Sequence, residues 1–138
     1  METINPTLVA LAGFAGWTAL LTFGLVNLRL FNIFSGAKIP INRFSPSGED
    51  LPGLGLRLTR AHQNCLETLP IFAALVIVAG LSNQLSIMEG TAIYILFSRV
   101  AQSITHIIST SVPMVLLRAT LFTVQVLLML YYSYRLLF

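Results

Sequence analysis

The chain has 138 residues and a formal net charge of +3 at pH 7, a length that is enough for one domain. Hydrophobic residues make up 56% of it and charged residues only 9%, whereas a soluble domain carries roughly 25% charged residues. Together with a mean hydropathy of +0.83, this composition excludes disordered, nucleic-acid-binding and ordinary cytosolic proteins. It predicts a multi-pass membrane protein whose outer surface faces lipid, and no nucleic acid is expected among its partners.

Four apolar segments are each long enough for the ~20 residues that cross a hydrocarbon core. We predict transmembrane helices at about 8–34, 55–81, 87–108 and 113–137. The first is expected to begin with Asn5 as its N-cap and Pro6 at the first helical position, which is typical of a helix start. The sequence therefore predicts an all-α membrane protein, with residues 1–138 forming a single up-down bundle of four helices.

The only long connection, at about 35–54, carries Lys38, Arg43 and three prolines, a composition typical of a loop. The other two connections contain no Lys or Arg. Because cytoplasmic loops carry an excess of positive residues, we expect the long loop to face the cytoplasm. The expected membrane is a bacterial inner membrane or the endoplasmic reticulum.

Whereas Arg135 lies near the outer end of helix 4, six charged residues in or beside the predicted helices fall in their cytoplasmic half in this topology: Arg29, Arg57, Arg60, Glu67, Arg99 and Arg118. An arginine near the bilayer centre costs roughly 2.5–3.5 kcal/mol on insertion scales, so these side chains need partners. Glu67 can neutralise one arginine, and Arg99 at a similar depth is the expected one. An anion is the natural partner for the others.

Polar side chains also recur at helical spacing, which places them on one face of each helix. Helices 2, 3 and 4 each carry such a polar stripe: Arg60–Asn64–Glu67, Arg99–Gln102–His106 and Arg118–Phe122–Gln125. The three stripes predict a polar pocket that faces the bundle interior or a neighbouring subunit.

Structural alternatives exist for each of these residues. Arginines near helix ends can extend to the headgroups by snorkelling, which applies to Arg29, Arg57 and Arg118. Arg99 and Glu67 can form an ion pair with no functional role. Gln102 and His106 on helix 3 can form hydrogen bonds between helices without any further role.

The segment at 60–70 reads RAHQNCLETLP and resembles the second helix of the MAPEG superfamily, the membrane-associated proteins in eicosanoid and glutathione metabolism. Its Arg-x-x-x-Asn-x-x-Glu pattern is the most specific part of the resemblance. Residues 27–30, residues 98–101 and Arg118 fit the family in the same order. The resemblance thus touches all four predicted helices.

This resemblance implies a homotrimer of four-helix subunits, with glutathione bound between adjacent subunits in the membrane. It implies a transferase or peroxidase, similar to the microsomal glutathione transferases, that detoxifies lipophilic electrophiles or lipid hydroperoxides taken from membrane lipid. Arg118 matches the arginine that lies against the glutathione sulfur and is the expected catalytic residue. The expected glutathione-binding residues are Arg29, Arg60, Gln63, Asn64, Glu67, Arg99, Gln102 and His106.

Three positions depart from groups that the family often carries. Gln63 stands in place of a second arginine before the Asn, Gln102 in place of a histidine on helix 3, and Phe122 in place of a tyrosine on helix 4. These departures favour an alternative function, a noncatalytic lipid-binding or scaffold member of the same family. A third interpretation is a small exporter, or arginines that hold anionic headgroups, but such exporters usually carry a carboxylate in helix 1 and this helix has none. No metal site is expected.

Overall fold

The computed structural model describes residues 4–36, 39–51 and 53–138. Within these ranges the chain folds into α1 (Pro6–Phe34), α2 (Leu54–Leu81), α3 (Ala92–Ile108) and α4 (Val112–Leu137). Helices α1, α2 and α4 are each long and apolar enough to cross a membrane. The 17 residues of α3 extend about 25 Å and lie at the short end of the range for a membrane-crossing helix.

The first helix begins where the sequence predicted. The side chain of Asn5 accepts a hydrogen bond from the backbone N–H of Thr7 at 2.9 Å, and Pro6 is the first helical residue. Proline is favoured there because its missing N–H has no intrahelical partner in the first turn. The Asn5 amide also donates to the carboxylate of Glu89, which ties the start of α1 to the turn before α3.

The third helix begins at Ala92 and not near residue 87, so the predicted start is wrong. Residues Leu85–Ile87 form a short 3-10 turn, and the N–H groups of Thr91 and Ala92 both donate to the carbonyl of Met88, at 3.0 and 2.8 Å. Gly90 lies between Met88 and Thr91, and a glycine inside a helix costs about 1 kcal/mol relative to alanine. Hydropathy does not include this cost, so the apolar pattern predicted a helix that starts too early.

The four helices pack around one core, and α2 contacts α4 less than it contacts α1 or α3. Fully buried side chains near its centre are Phe14, Cys65, Phe72, Ile95 and Arg99. The rings of Phe14 and Phe72 stack with centroids 6.2 Å apart. A groove lined by residues of both α2 and α4 lies on the surface of the bundle.

The connection between α1 and α2 folds back onto α2. Gly48 has a φ of +75°, and a β-carbon there would lie 2.5 Å from Oγ1 of Thr59, so the loop approaches α2 more closely than a side chain would allow. The backbone N–H of Ser45 donates to the carboxylate of Asp50 at 2.8 Å. Lys38, one of the positive residues of the predicted cytoplasmic loop, lies outside the described residues.

Candidate functional site

A chain of hydrogen bonds joins α2, α3 and α4 through one residue of each polar stripe. Nε2 of His106 lies 2.8 Å from the side-chain amide of Asn64. Nδ1 of the same ring lies 3.0 Å from Nη1 of Arg118. The imidazole on α3 therefore bridges the amide on α2 and the guanidinium on α4.

A cavity of about 380 Å³ opens beside this chain of hydrogen bonds. Its volume falls within the ~300–1,000 Å³ that is typical of small-molecule sites. The lining residues are Asn64, Glu67, Gln102, His106, Val115, Arg118, Ala119 and Phe122. The structure thus brings together five of the predicted site residues, and we refer to this space as the Arg118 cavity.

An apolar groove adjoins the Arg118 cavity between α2 and α4. Glu67 and Phe122 line both spaces. The groove also has a volume of about 380 Å³, and its remaining lining residues are Thr68, Ile71, Leu75, Val126, Met129, Leu130 and Ser133. A ligand with a polar end and an apolar end therefore has a matching surface on each side of Phe122.

The other predicted binding residues lie elsewhere on the subunit. Arg29 and Gln63 line a separate cavity of about 340 Å³ between α1 and α2. The guanidinium of Arg29 stacks over the ring of Phe44 at 5.7 Å, and the amide of Gln63 donates to the carbonyl of Pro46 at 3.1 Å. The Arg60 side chain is exposed. The predicted glutathione-binding residues therefore lie on two different surfaces. A single subunit does not bring all of them to one site.

Arg99 is completely buried, and the predicted ion pair with Glu67 is not formed. Its Nη2 donates instead to Oγ1 of Thr68 at 2.6 Å, while Nε and Nη1 have no hydrogen-bond partner among the described residues. Glu67 is exposed and Thr68 is buried, because successive helical residues point about 100° apart. Of these two residues, Thr68 faces the core with its hydroxyl, and the carboxylate of Glu67 does not.

Two aromatic rings enclose the guanidinium of Arg99. The ring centroids of Phe14 and Phe122 lie 5.5 and 5.8 Å from its central carbon. A desolvated cation–π contact contributes about 2 kcal/mol, so two such contacts and a charge-assisted hydrogen bond offset much of the cost of burying the charge. The arginine therefore joins α1, α2, α3 and α4.

The chain matches a known protein family over nearly its whole length. A model of the MAPEG family matches residues 7–138, a range that includes all but the first residue of the four helices. The chain belongs to the MAPEG family. The resemblance in the sequence is confirmed, and with its long apolar helices the chain is an integral membrane protein of a family related to glutathione and eicosanoid metabolism. Neither a curated protein nor a solved structure matches the chain.

Two of the departures from common MAPEG residues are engaged in packing in this MAPEG protein. Oε1 of Gln102 accepts a hydrogen bond from the amide of Gln125 at 3.2 Å, and both side chains are buried. Phe122 contacts the guanidinium of Arg99. The structural alternative for Gln102, a hydrogen bond between helices, is therefore what the structure shows.

Thr68 is the residue of this network that the sequence did not indicate. Its hydroxyl donates to the carbonyl of Asn64 at 3.1 Å and accepts from Arg99, so one hydroxyl links the buried cation to the backbone beside the Arg118 cavity. A threonine in a helix usually bonds only the carbonyl four residues earlier. No spacing rule distinguishes the threonine that also receives an arginine.

Changing Thr68 to valine is expected to destabilise this MAPEG protein by about 2 kcal/mol, because a hydrogen bond to a charged group is worth about 1.5–3 kcal/mol and the shape is unchanged. Thermal unfolding in detergent measures the loss. Thr59→Val is the matched control, since Thr59 is also buried on α2 and, within the described part of the chain, its hydroxyl bonds only the carbonyl of Gly55 in its own helix. Equal losses in the two variants would contradict the role of Thr68.

Proposed function

We propose that this protein is a membrane-embedded glutathione transferase or peroxidase that stabilises the glutathione thiolate for reaction with lipophilic electrophiles or lipid hydroperoxides. The supporting observation is the environment of Arg118. Its guanidinium is held by His106 and lines a cavity that adjoins an apolar groove. A water-soluble thiol and an apolar second substrate can therefore meet at this arginine.

Glutathione fits the residues of the Arg118 cavity by charge. The tripeptide carries two carboxylates and one ammonium group; Glu67 can receive the ammonium, and the arginine fork suits carboxylates. Of the five N–H donors of the Arg118 guanidinium, one is directed at His106. Among the described residues the other donors have no bond partner, so they can contact an anion or a sulfur atom in the cavity.

The two carboxylates need more arginines than the Arg118 cavity supplies. Arg29 lines the cavity between α1 and α2, and Arg60 is exposed on α2. In the proposed homotrimer, the surface of one subunit that carries Arg29 lies against the Arg118 cavity of the next. Glutathione would then be bound by residues of both subunits.

The proposed chemistry starts with loss of the thiol proton to solvent, because the thiolate is the nucleophile. Lowering a thiol pKa by two units requires ~2.7 kcal/mol of differential interaction, and the positive charge of Arg118 beside the sulfur favours the thiolate. In conjugation, the sulfur attacks an electrophilic carbon, a C–S bond forms and the leaving group departs with its electron pair. In peroxide reduction, two glutathione molecules form a disulfide while the hydroperoxide becomes an alcohol and water.

The proposed location is a bacterial inner membrane or the endoplasmic reticulum, with the connection between α1 and α2 in the cytoplasm. The positive residues of that connection support this orientation. Glutathione would then enter from the cytoplasm and the second substrate from the lipid. The apolar groove between α2 and α4 supports entry from the lipid side.

A noncatalytic lipid-binding or scaffold protein is the second candidate, and Phe122 is the observation that favours it. Phe122 stands between the Arg118 cavity and the apolar groove, and it brings no hydroxyl to the site. Such a protein would bind a lipid in the groove without turnover.

Conjugation by the wild-type protein tests the proposal against this candidate. The purified protein in liposomes is mixed with glutathione and a chloronitrobenzene electrophile, and product absorbance is followed. We expect a rate that saturates in glutathione and exceeds the rate with protein-free liposomes. A rate equal to that of protein-free liposomes, for this electrophile and for a lipid hydroperoxide, would favour the noncatalytic candidate.

A further inference from the structure

His106 occupies an unusual position in the hydrogen-bond chain, because both of its ring nitrogens face a nitrogen of a neighbouring side chain. Nδ1 faces Nη1 of Arg118, and Nε2 faces the amide of Asn64. A guanidinium only donates hydrogen bonds, whereas an amide can present either its oxygen or its NH2 group. Arg118 therefore fixes the protonation pattern of the whole chain.

The bond from Arg118 determines the donor and the acceptor at each further step of the hydrogen-bond chain. Since Arg118 donates to Nδ1, that nitrogen must carry a lone pair and the ring must be neutral. A neutral imidazole then carries its proton on Nε2. Nε2–H needs an acceptor, so Asn64 presents its Oδ1, an assignment that heavy-atom positions alone do not distinguish from the flipped amide.

The anchoring of Asn64 makes this chain rigid on the α2 side. The carbonyl of Asn64 accepts the hydroxyl of Thr68, and that hydroxyl receives Nη2 of the completely buried Arg99. The ring of His106 is thus oriented by an amide whose own helix is attached to the core. The free end of the chain is the guanidinium of Arg118 at the Arg118 cavity.

We propose that His106 is a positioning residue: its neutral imidazole, in the Nε2–H tautomer set by Asn64, orients the Arg118 guanidinium towards the thiol of glutathione. His106 then acts on the reaction through Arg118 and is not itself a ligand of the tripeptide, which differs from the role expected from the sequence. The effect on thiolate formation rests on the proposed function. The tautomer and the bond to Arg118 do not.

Two conservative variants separate the two bonds of the ring. The side-chain oxygen of asparagine lies near the position of Nδ1, whereas that of glutamine lies near the position of Nε2. His106→Asn therefore keeps an acceptor for Arg118 and loses the contact with Asn64. His106→Gln does the reverse.

The first measurement is thiolate absorbance in the ultraviolet with saturating glutathione. We expect the thiolate absorbance of His106→Asn to stay within about threefold of the wild-type value. That of His106→Gln should fall roughly tenfold, which is near the lower end of the effect of one hydrogen bond to a charged group. Thermal unfolding of both variants shows whether they fold alike. Equal thiolate signals in two folded variants would overturn the proposal, because a packing role alone does not distinguish Nδ1 from Nε2.

The second measurement needs no glutathione. The chain has two histidines, so the ring ¹⁵N signals of His106 in the full-length protein can be assigned by comparison with His62→Gln. We expect a protonated Nε2 and an unprotonated Nδ1, and a change in the Nδ1 signal in Arg118→Ala. A protonated Nδ1 would overturn the proposal even if the His106 variants do not fold. Absence of thiolate in the wild type with the expected tautomer present would refute the proposed function and leave the bond between His106 and Arg118 standing.

Discussion

Arg118→Ala is expected to lower the rate of glutathione conjugation roughly 100-fold, the loss typical of removing one donor that stabilises a developing or full negative charge. Arg118 is the arginine that lines the Arg118 cavity, so no other guanidinium of the same subunit takes its place there. Most of the loss should fall on kcat, because the thiolate is stabilised after glutathione has bound. Steady-state kinetics in liposomes, with glutathione varied, measures both constants.

Two further variants sharpen this test. Arg118→Lys keeps the charge but loses the fork geometry, so we expect an intermediate rate. Arg135→Ala is the matched control, since Arg135 lies on the same helix, is exposed and bonds the hydroxyl of Tyr131, and we expect it to retain the wild-type rate. Loss of activity in Arg135→Ala equal to that in Arg118→Ala would show that the assay reports damage to α4.

Phe14→Ala should be among the most destabilising substitutions in the bundle, at about 3 kcal/mol for the loss of a buried ring and the cavity it leaves. Phe14 is fully buried, stacks on Phe72 and covers one face of the Arg99 guanidinium. In a bilayer, little of this loss comes from transfer out of water, because lipid tails are as apolar as the core. It comes from lost packing and from a buried charge with one fewer aromatic neighbour.

Unfolding in detergent, by heat or by added denaturing surfactant, measures this loss. Phe23→Ala is the control on the same helix, because Phe23 is 67% exposed and its removal should change the free energy of unfolding by no more than about 0.5 kcal/mol. A Phe14→Ala protein as stable as Phe23→Ala would contradict the packing of α1 against Arg99.

The start of α1 and the Arg118 cavity were within reach of the sequence, because both depend on local rules. Asn5 and Pro6 have side-chain chemistry that defines a helix start. Asn64, His106 and Arg118 each fall on the polar face that helical spacing defines. Three such faces in one apolar bundle are expected to face one another, because lipid does not satisfy polar groups. Spacing along a helix and the cost of polar groups in lipid were therefore sufficient to bring these side chains together.

The sequence could not predict the relations that depend on how the helices are rotated and paired. Periodicity places Glu67 and Thr68 on adjacent parts of α2 but does not say which of them faces Arg99, and the structure selects Thr68. It also does not say that Arg29 lies on a different surface from Arg118. The partner of Arg99 and the position of Arg29 both depend on how whole helices pack, and the spacing of residues along one helix does not determine this.

The most direct test of the central claim is a titration of the detergent-purified wild-type protein with glutathione at neutral pH, following thiolate absorbance in the ultraviolet. We predict a thiolate signal that saturates with glutathione and is lost in Arg118→Ala. Binding of glutathione without any thiolate signal, or a signal unchanged in Arg118→Ala, would contradict the role assigned to this arginine.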